Sequence, residues 1–217
     1  ISMEGVSFTY PDTGVQALRD VSFTVMPGEK VALIGRTGAG KSTIAELLLR
    51  FYDPDSGSIC VDDVPIQDYP LEALREQISY VPQDVFLFGD SVRNNIAFGL
   101  VGNAEKSPET YAAMAHIHRE ITDFPKQYDT LVGERGVTLS GGQKQRISIA
   151  RAFIKEAPVI ILDDCLSAVD ADTEQQILGQ MRQYLKDRTA LIITHRISGL
   201  MHYDKILVMD NNTIAES

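Results

Sequence analysis

Hydrophobic and polar positions alternate through the first part of the chain. Val6, Phe8 and Tyr10 are spaced by two, as are Val21, Phe23 and Val25, which predicts half-buried strands. Pro11-Asp12 and Pro27-Gly28 punctuate these runs as turns. The apolar run 31–34, ending at Gly35, predicts a short buried strand. From Lys41 to about Phe51 the spacing becomes helical, with Ile44, Leu47, Leu48 and Phe51 on one face. Residues 59–61 and 64–66 predict a small hairpin turning at Asp62-Asp63.

From about Asp84 to Glu156 the period lengthens toward 3.6, predicting helices over 91–98, 108–122 and 141–155. After Pro158 strands and helices alternate: 159–162, 171–186, 189–193, 197–201 and 205–209, then a turn at Asn211-Asn212 and a last short strand. Alternation of this kind implies an α/β fold with a mostly parallel sheet covered by helices. The expected organisation is one domain over 1–217. It has an antiparallel β subdomain (1–30 and 56–67), an inserted α-helical subdomain (84–156), and an α/β core from the remainder.

Composition narrows the partners. Twenty basic against thirty acidic side chains give a net charge of −10 over 217 residues, which argues against a nucleic-acid-binding face. Two cysteines cannot frame a chain of this length, and their scarcity suits a reducing compartment. No apolar run approaches the roughly 18 residues of a membrane span. The chain opens at Ile1, within an expected strand, and reads as one domain of a longer polypeptide.

The chemistry centres on Gly35-Arg36-Thr37-Gly38-Ala39-Gly40-Lys41-Ser42, a G-x-x-x-x-G-K-[S/T] loop between an apolar strand and an amphipathic helix. Glycines let successive backbone N–H groups turn around phosphate oxygens, and a helix N-terminus adds partial positive charge. Lys41 reaches the terminal phosphates, and the Ser42 hydroxyl suits Mg²⁺. Arg36, Thr37, Ala39 and Thr43 join the binding set, the first two chiefly through backbone N–H groups. The strand 159–162 runs into Asp163, a carboxylate placed to hold Mg²⁺, and Asp164 follows where a base for an attacking water would sit.

A second candidate is Ser140-Gly141-Gly142-Gln143. Ser140 and Gln143 make a capping box, but a purely structural helix start would favour Ala or Glu over Gly141 and Gly142. Bare backbone beside a serine hydroxyl suits a second grip on phosphate, of this or another subunit's nucleotide.

The glycine loop, Leu139 to Gln143, and Asp163, in that order, resemble the nucleotide-binding domain of an ABC transporter, across essentially the whole chain. The resemblance implies a P-loop (RecA-like) core that binds ATP with Mg²⁺ and hydrolyses it. It implies adenine stacking on Tyr10, a Q-loop glutamine at Gln83 that approaches Mg²⁺, a D-loop at 167–170, and a γ-phosphate-contacting His195. Residues 130–136, with 12–15 and Leu87-Phe88, resemble exporters and their contacts with transmembrane domains. The expected partners are those domains and a second nucleotide-binding domain paired head to tail, so that each ATP lies between one glycine loop and the partner's Ser-Gly-Gly-Gln helix. The expected location is the cytoplasmic side of an inner or plasma membrane. DNA-repair ATPases sharing the signature would carry a long coiled-coil insertion and tend to be basic.

One departure stands out. Where the family usually carries a catalytic Glu, this chain has Asp164, whose carboxylate is drawn back by roughly 1.5 Å. A displacement near 1 Å can cost on the order of 10²-fold in rate. This favours a slow, degenerate site within a heterodimeric exporter over two alternatives: a competent homodimer, and a non-hydrolytic regulatory clamp.

Overall fold

The structure is a computed structural model that describes residues 1–100, 106–133, 138–195 and 202–216. Its strands are β1 (Ser2–Thr9), β2 (Gln16–Thr24), β3 (Lys30–Gly35), β4 (Ser56–Val61), β5 (Val64–Pro65), β6 (Ile78–Val81), β7 (Val159–Asp163), β8 (Thr189–Ile193), β9 (Lys205–Asp210) and β10 (Thr213–Glu216). The α-helices are α1 (Lys41–Leu48), α2 (Leu71–Glu76), α3 (Val92–Ala97), α4 (Pro108–Met114), α5 (His118–Thr122), α6 (Gly141–Lys155) and α7 (Ala171–Tyr184). The fold is α/β, and the chain divides into two compact units.

The first unit comprises Ile1–Ile78, Pro158–Asp163 and Asp187–Ser217. One sheet in it is antiparallel, in the order β2-β1-β4-β5, and the turn between β4 and β5 uses Asp62 and Asp63 at φ 48° and 62°. Aspartate tolerates this left-handed backbone better than most residues. A second sheet carries the order β10-β9-β3-β8-β7 through this unit, with β9, β3, β8 and β7 mutually parallel. Every residue of β7 and β8 is buried, which is why both read as unbroken apolar runs rather than alternating ones.

The second unit comprises Ser79–Ala157 and Asp164–Lys186. Its centre is α6, buried at every position from Gln145 to Ile154 except Arg151. Phe153 is fully buried and stacks on Tyr184 with ring centroids 4.0 Å apart, while the Tyr184 hydroxyl donates to Phe153 O at 2.9 Å. The helix ends at Glu156, whose φ of 56° is the left-handed cap conformation usually given to glycine. Tyr111 and Lys106 both bind its carboxylate.

Three sequence expectations change. The helix from Lys41 stops at Leu48, because Arg50 turns left-handed at φ 52°. Phe51 therefore leaves the apolar face and stands 51% exposed, under the Arg75 guanidinium at 5.1 Å. The helix expected over 108–122 is two helices, broken where His116 adopts φ 52°. Neither α2 nor β6 was anticipated: six and four residues are too few to show a period. The expected helix at 197–201 lies outside the described residues.

Candidate nucleotide-binding site

In the first unit, β3, β8 and β7 are parallel neighbours, so their C-terminal ends share one edge of the sheet. The pairings Leu33 with Ile193 and Asp163 with Ile193 put the start of the glycine loop, the end of β7 and the approach to His195 in one row. Ligands of open α/β sheets bind at such carboxyl edges.

The loop itself is shaped by close approaches. A Cβ on Gly40 would sit 2.3 Å from Ala17 O, and Gly40 also holds φ 94°. A Cβ on Gly35 would sit 2.4 Å from Met209 O. Both positions exclude any other residue. Helix α1 then begins on Gly40 with no side-chain cap and no acidic residue in its first turn. An ordinary helix start would satisfy those first N–H groups with a Ser, Thr or Asp; here they are left for an external acceptor. Lys41 is 6% exposed, and its ammonium donates to Gly35 O at 2.9 Å and Arg36 O at 2.8 Å, lying across the loop. Arg36, Thr37 and Gly38 are exposed, Ala39 and Thr43 buried, and Ser42 half-buried.

Asp163 is 2% exposed at the end of β7, and His195 is exposed just beyond β8. A triphosphate with Mg²⁺ fits this donor set: bare helix amides and an ammonium for anionic oxygens, a hydroxyl and a buried carboxylate for a hard cation.

Tyr10 is placed by its hydroxyl. It hydrogen-bonds Thr43 Oγ1 at 2.9 Å and donates to Glu46 Oε2 at 2.7 Å. The ring meets Phe8 and Tyr52 edge to face, with centroids 5.1 and 5.6 Å away. Burial pushes its pKa up to about 12. Sequence patterning gave no sign of Glu46, whose role depends on a contact across 36 residues.

Gln83, Asp164 and Ser140–Gln143 belong to the second unit. Gln83 is exposed there. Asp164 is half-buried with φ 43°, and its carbonyl accepts from Ser167 N at 3.2 Å. The capping box is present: Ser140 Oγ accepts from Gln143 N at 3.2 Å, and Gln143 Oε1 accepts from Ser140 N at 2.9 Å.

Of the glycine pair that capping left unexplained, Gly142 has a reason inside the chain. A Cβ on Gly142 would lie 2.8 Å from Ala168 O, and one on Gly141 3.3 Å from Ala168 Cβ. The loop 166–170 rests on the first turn of α6, and Gln145 holds it there, donating to Ser167 Oγ at 2.9 Å and accepting from Ala168 N at 3.0 Å. Ser140 and Gly141 nonetheless remain exposed.

Two residues that carried no sequence signal support this helix start. Glu120 accepts from Gln143 Nε2 at 2.9 Å and from Arg146 at 2.5 Å, and Arg146 Nε donates back to Gly142 O at 3.2 Å. Of the exporter-like segment 130–136, residues 134–136 lie outside the described residues. Leu131 is exposed and Val132 buried.

A glycine loop on an uncapped helix, with a buried aspartate at the end of a parallel strand of the same sheet, defines a P-loop nucleotide-binding domain. The match to known proteins narrows the class. The chain belongs to the ABC transporter family, which it matches over residues 18–167. It is 50% identical over 211 residues to a probable multidrug resistance ABC transporter ATP-binding/permease protein, YheI, of Bacillus subtilis. It is 46% identical over 217 residues to an ATP-dependent lipid A-core flippase of Aromatoleum aromaticum. These alignments cover 97% and 100% of this chain but 36% of each relative, so the chain spans about a third of their length. Among solved structures, a bacterial Atm1-family ABC exporter with ATP bound superposes with a TM-score of 0.92 at 43% identity, covering 99% of this chain and 37% of that one. This chain is a nucleotide-binding domain of the ABC transporter family. No helix among the described residues is long and apolar enough to cross a membrane.

Proposed function

We propose that this chain is the motor domain of an ABC exporter, binding ATP with Mg²⁺ and hydrolysing it to drive export by attached transmembrane domains. The observation that carries the reading is Lys41, buried and laid across the carbonyls of an uncapped, glycine-shaped helix start. Its ammonium and the first amides of α1 take the phosphates, with Arg36 to Thr43 forming the cradle, Tyr10 beneath the adenine and His195 at the terminal phosphate. Ser42, Asp163 and Gln83 hold the cation, which offsets charge on the triphosphate. Two such domains pair head to tail, each Ser140–Gln143 segment closing over the partner's nucleotide, and the nucleotide biases the pair only through its preference for the closed state. The domain then works on the cytoplasmic side of its membrane.

Asp164 deepens the reading. Its shorter carboxylate makes this chain's own site slow, while the intact Ser140–Gln143 segment serves a companion chain that carries Glu, which favours a heterodimer. Calorimetry with Mg-ATP is expected to show saturable binding that Lys41→Ala abolishes; unchanged affinity in that variant removes the nucleotide reading altogether. Separately, Asp164→Glu is expected to raise single-turnover hydrolysis by at least tenfold. Equal turnover in the two forms leaves the nucleotide reading intact and removes the degenerate site.

A further inference from the structure

The second unit contains a cavity of about 500 Å³ that the nucleotide chemistry does not use. His116, His118, Arg119, Glu120, Arg146 and Thr173 line it. It opens where α4 ends and α5 begins, at the left-handed His116.

Its polar groups are predominantly donors. Arg146 is 8% exposed; its Nε donates to Gly142 O and its Nη1 to His116 O at 2.7 Å and Glu120 Oε1 at 2.5 Å. Nη2 has no partner among the described residues, yet no buried side-chain nitrogen or oxygen among them lacks one. Nη2 therefore keeps some contact with solvent. Arg119 is exposed and enters no ion pair among the described residues. His118 engages Tyr128 through Nδ1 at 2.8 Å, which leaves Nε2 as its other polar atom.

The two acids beside these cations already have hydrogen-bond partners. Both oxygens of Glu120 are taken, one by Arg146 and the other by Gln143. Asp170, which also feels Arg146, accepts from Thr173 N as the cap of α7. Burial, then Arg146 and Arg119, lower the pKa of His116.

We propose that this cavity binds a phosphate-type oxyanion, free or as a phosphomonoester, at a site separate from the glycine loop. Its volume lies in the usual range of small-molecule sites, about 300–1,000 Å³, leaving room for an ester group beside the anion. Because Arg146 and Glu120 also hold Gly142 and Gln143, an occupant acts on the start of α6. The inference does not rest on the transporter reading.

The test follows the imidazole Hε1 resonances of His116 and His118 while inorganic phosphate is added to the chain. Only four histidines are present, so single His→Gln variants assign them. A saturable shift at millimolar phosphate is expected, unchanged in Lys41→Ala and weakened at least tenfold in Arg119→Gln, a substitution at an exposed position that leaves the core intact. Glycerol 3-phosphate binding several-fold tighter assigns the site to phosphomonoesters, and equal binding assigns it to the free ion. A shift that does not saturate, that sodium chloride reproduces at matched ionic strength, that vanishes with Lys41→Ala, or that Arg119→Gln leaves untouched overturns the proposal.

Discussion

At Gly142 two residue-scale effects oppose each other. Alanine there would gain up to about 1 kcal/mol of helix propensity, but its Cβ would press on Ala168 O at 2.8 Å. A backbone oxygen cannot swing aside as a flexible side chain can, so the steric cost wins. Gly142→Ala is expected to lower the thermal midpoint and to loosen the loop 166–170 in hydrogen exchange. Gly141→Ala, meeting only the Ala168 methyl at 3.3 Å, is expected to be close to neutral. Local pattern does not show why Gly142 is a glycine, because the backbone that crowds it belongs to a loop 26 residues away (142 to 168). Tyr10 makes the same point. Its aromatic ring at a strand end was legible, whereas its hydroxyl is anchored on Thr43 and Glu46, each more than thirty positions along the chain.

Among the elements, α6 organises the second unit. Its apolar periodicity was strong enough to place Gly141 to Lys155 in advance, and its start could be read from Ser140 and Gln143. Length supplies that strength: fifteen residues show the 3.6 period four times, whereas α2 and β6 show none. Phe153, fully buried against Tyr184, anchors the helix to α7. Phe153→Ala is expected to cost about 3–5 kcal/mol in denaturant unfolding. Ser140→Ala is expected to cost about 1 kcal/mol as a lost cap, without altering the packing of Phe153. The division of the stretch 108–122 went unread because no glycine or proline marks it; the interruption falls on His116.

For the whole molecule, two phenols contribute to the alkaline limb of stability. Burial pushes both Tyr10 and Tyr128 up to about 12 from an ordinary 10. Above pH 10 the unfolded chain releases these protons and the folded one retains them, so folding becomes less favourable with rising pH. The contribution is fully present below pH 10 and disappears as pH passes 12. Chemical denaturation across pH 9–12 is expected to show stability falling over that window. Tyr10→Phe and Tyr128→Phe should each remove part of the slope, and an unchanged slope in the double variant would assign it to other groups.

What the linear order of residues determined by itself was the α/β class, written as an alternation of periods along the chain, and the glycine loop, the carboxylate ending β7 and the capped start of α6, each written within a dozen consecutive positions. Tertiary structure alone decided the neighbours: which backbone crowds Gly40 and Gly142, which acid receives the Tyr10 hydroxyl, and how Glu120 and Arg146 come to hold a helix start beside a donor-lined cavity. Those are contacts between distant segments, formed by burial and close packing. Their energies depend on tenths of an ångström that no local pattern of hydrophobic and polar positions encodes.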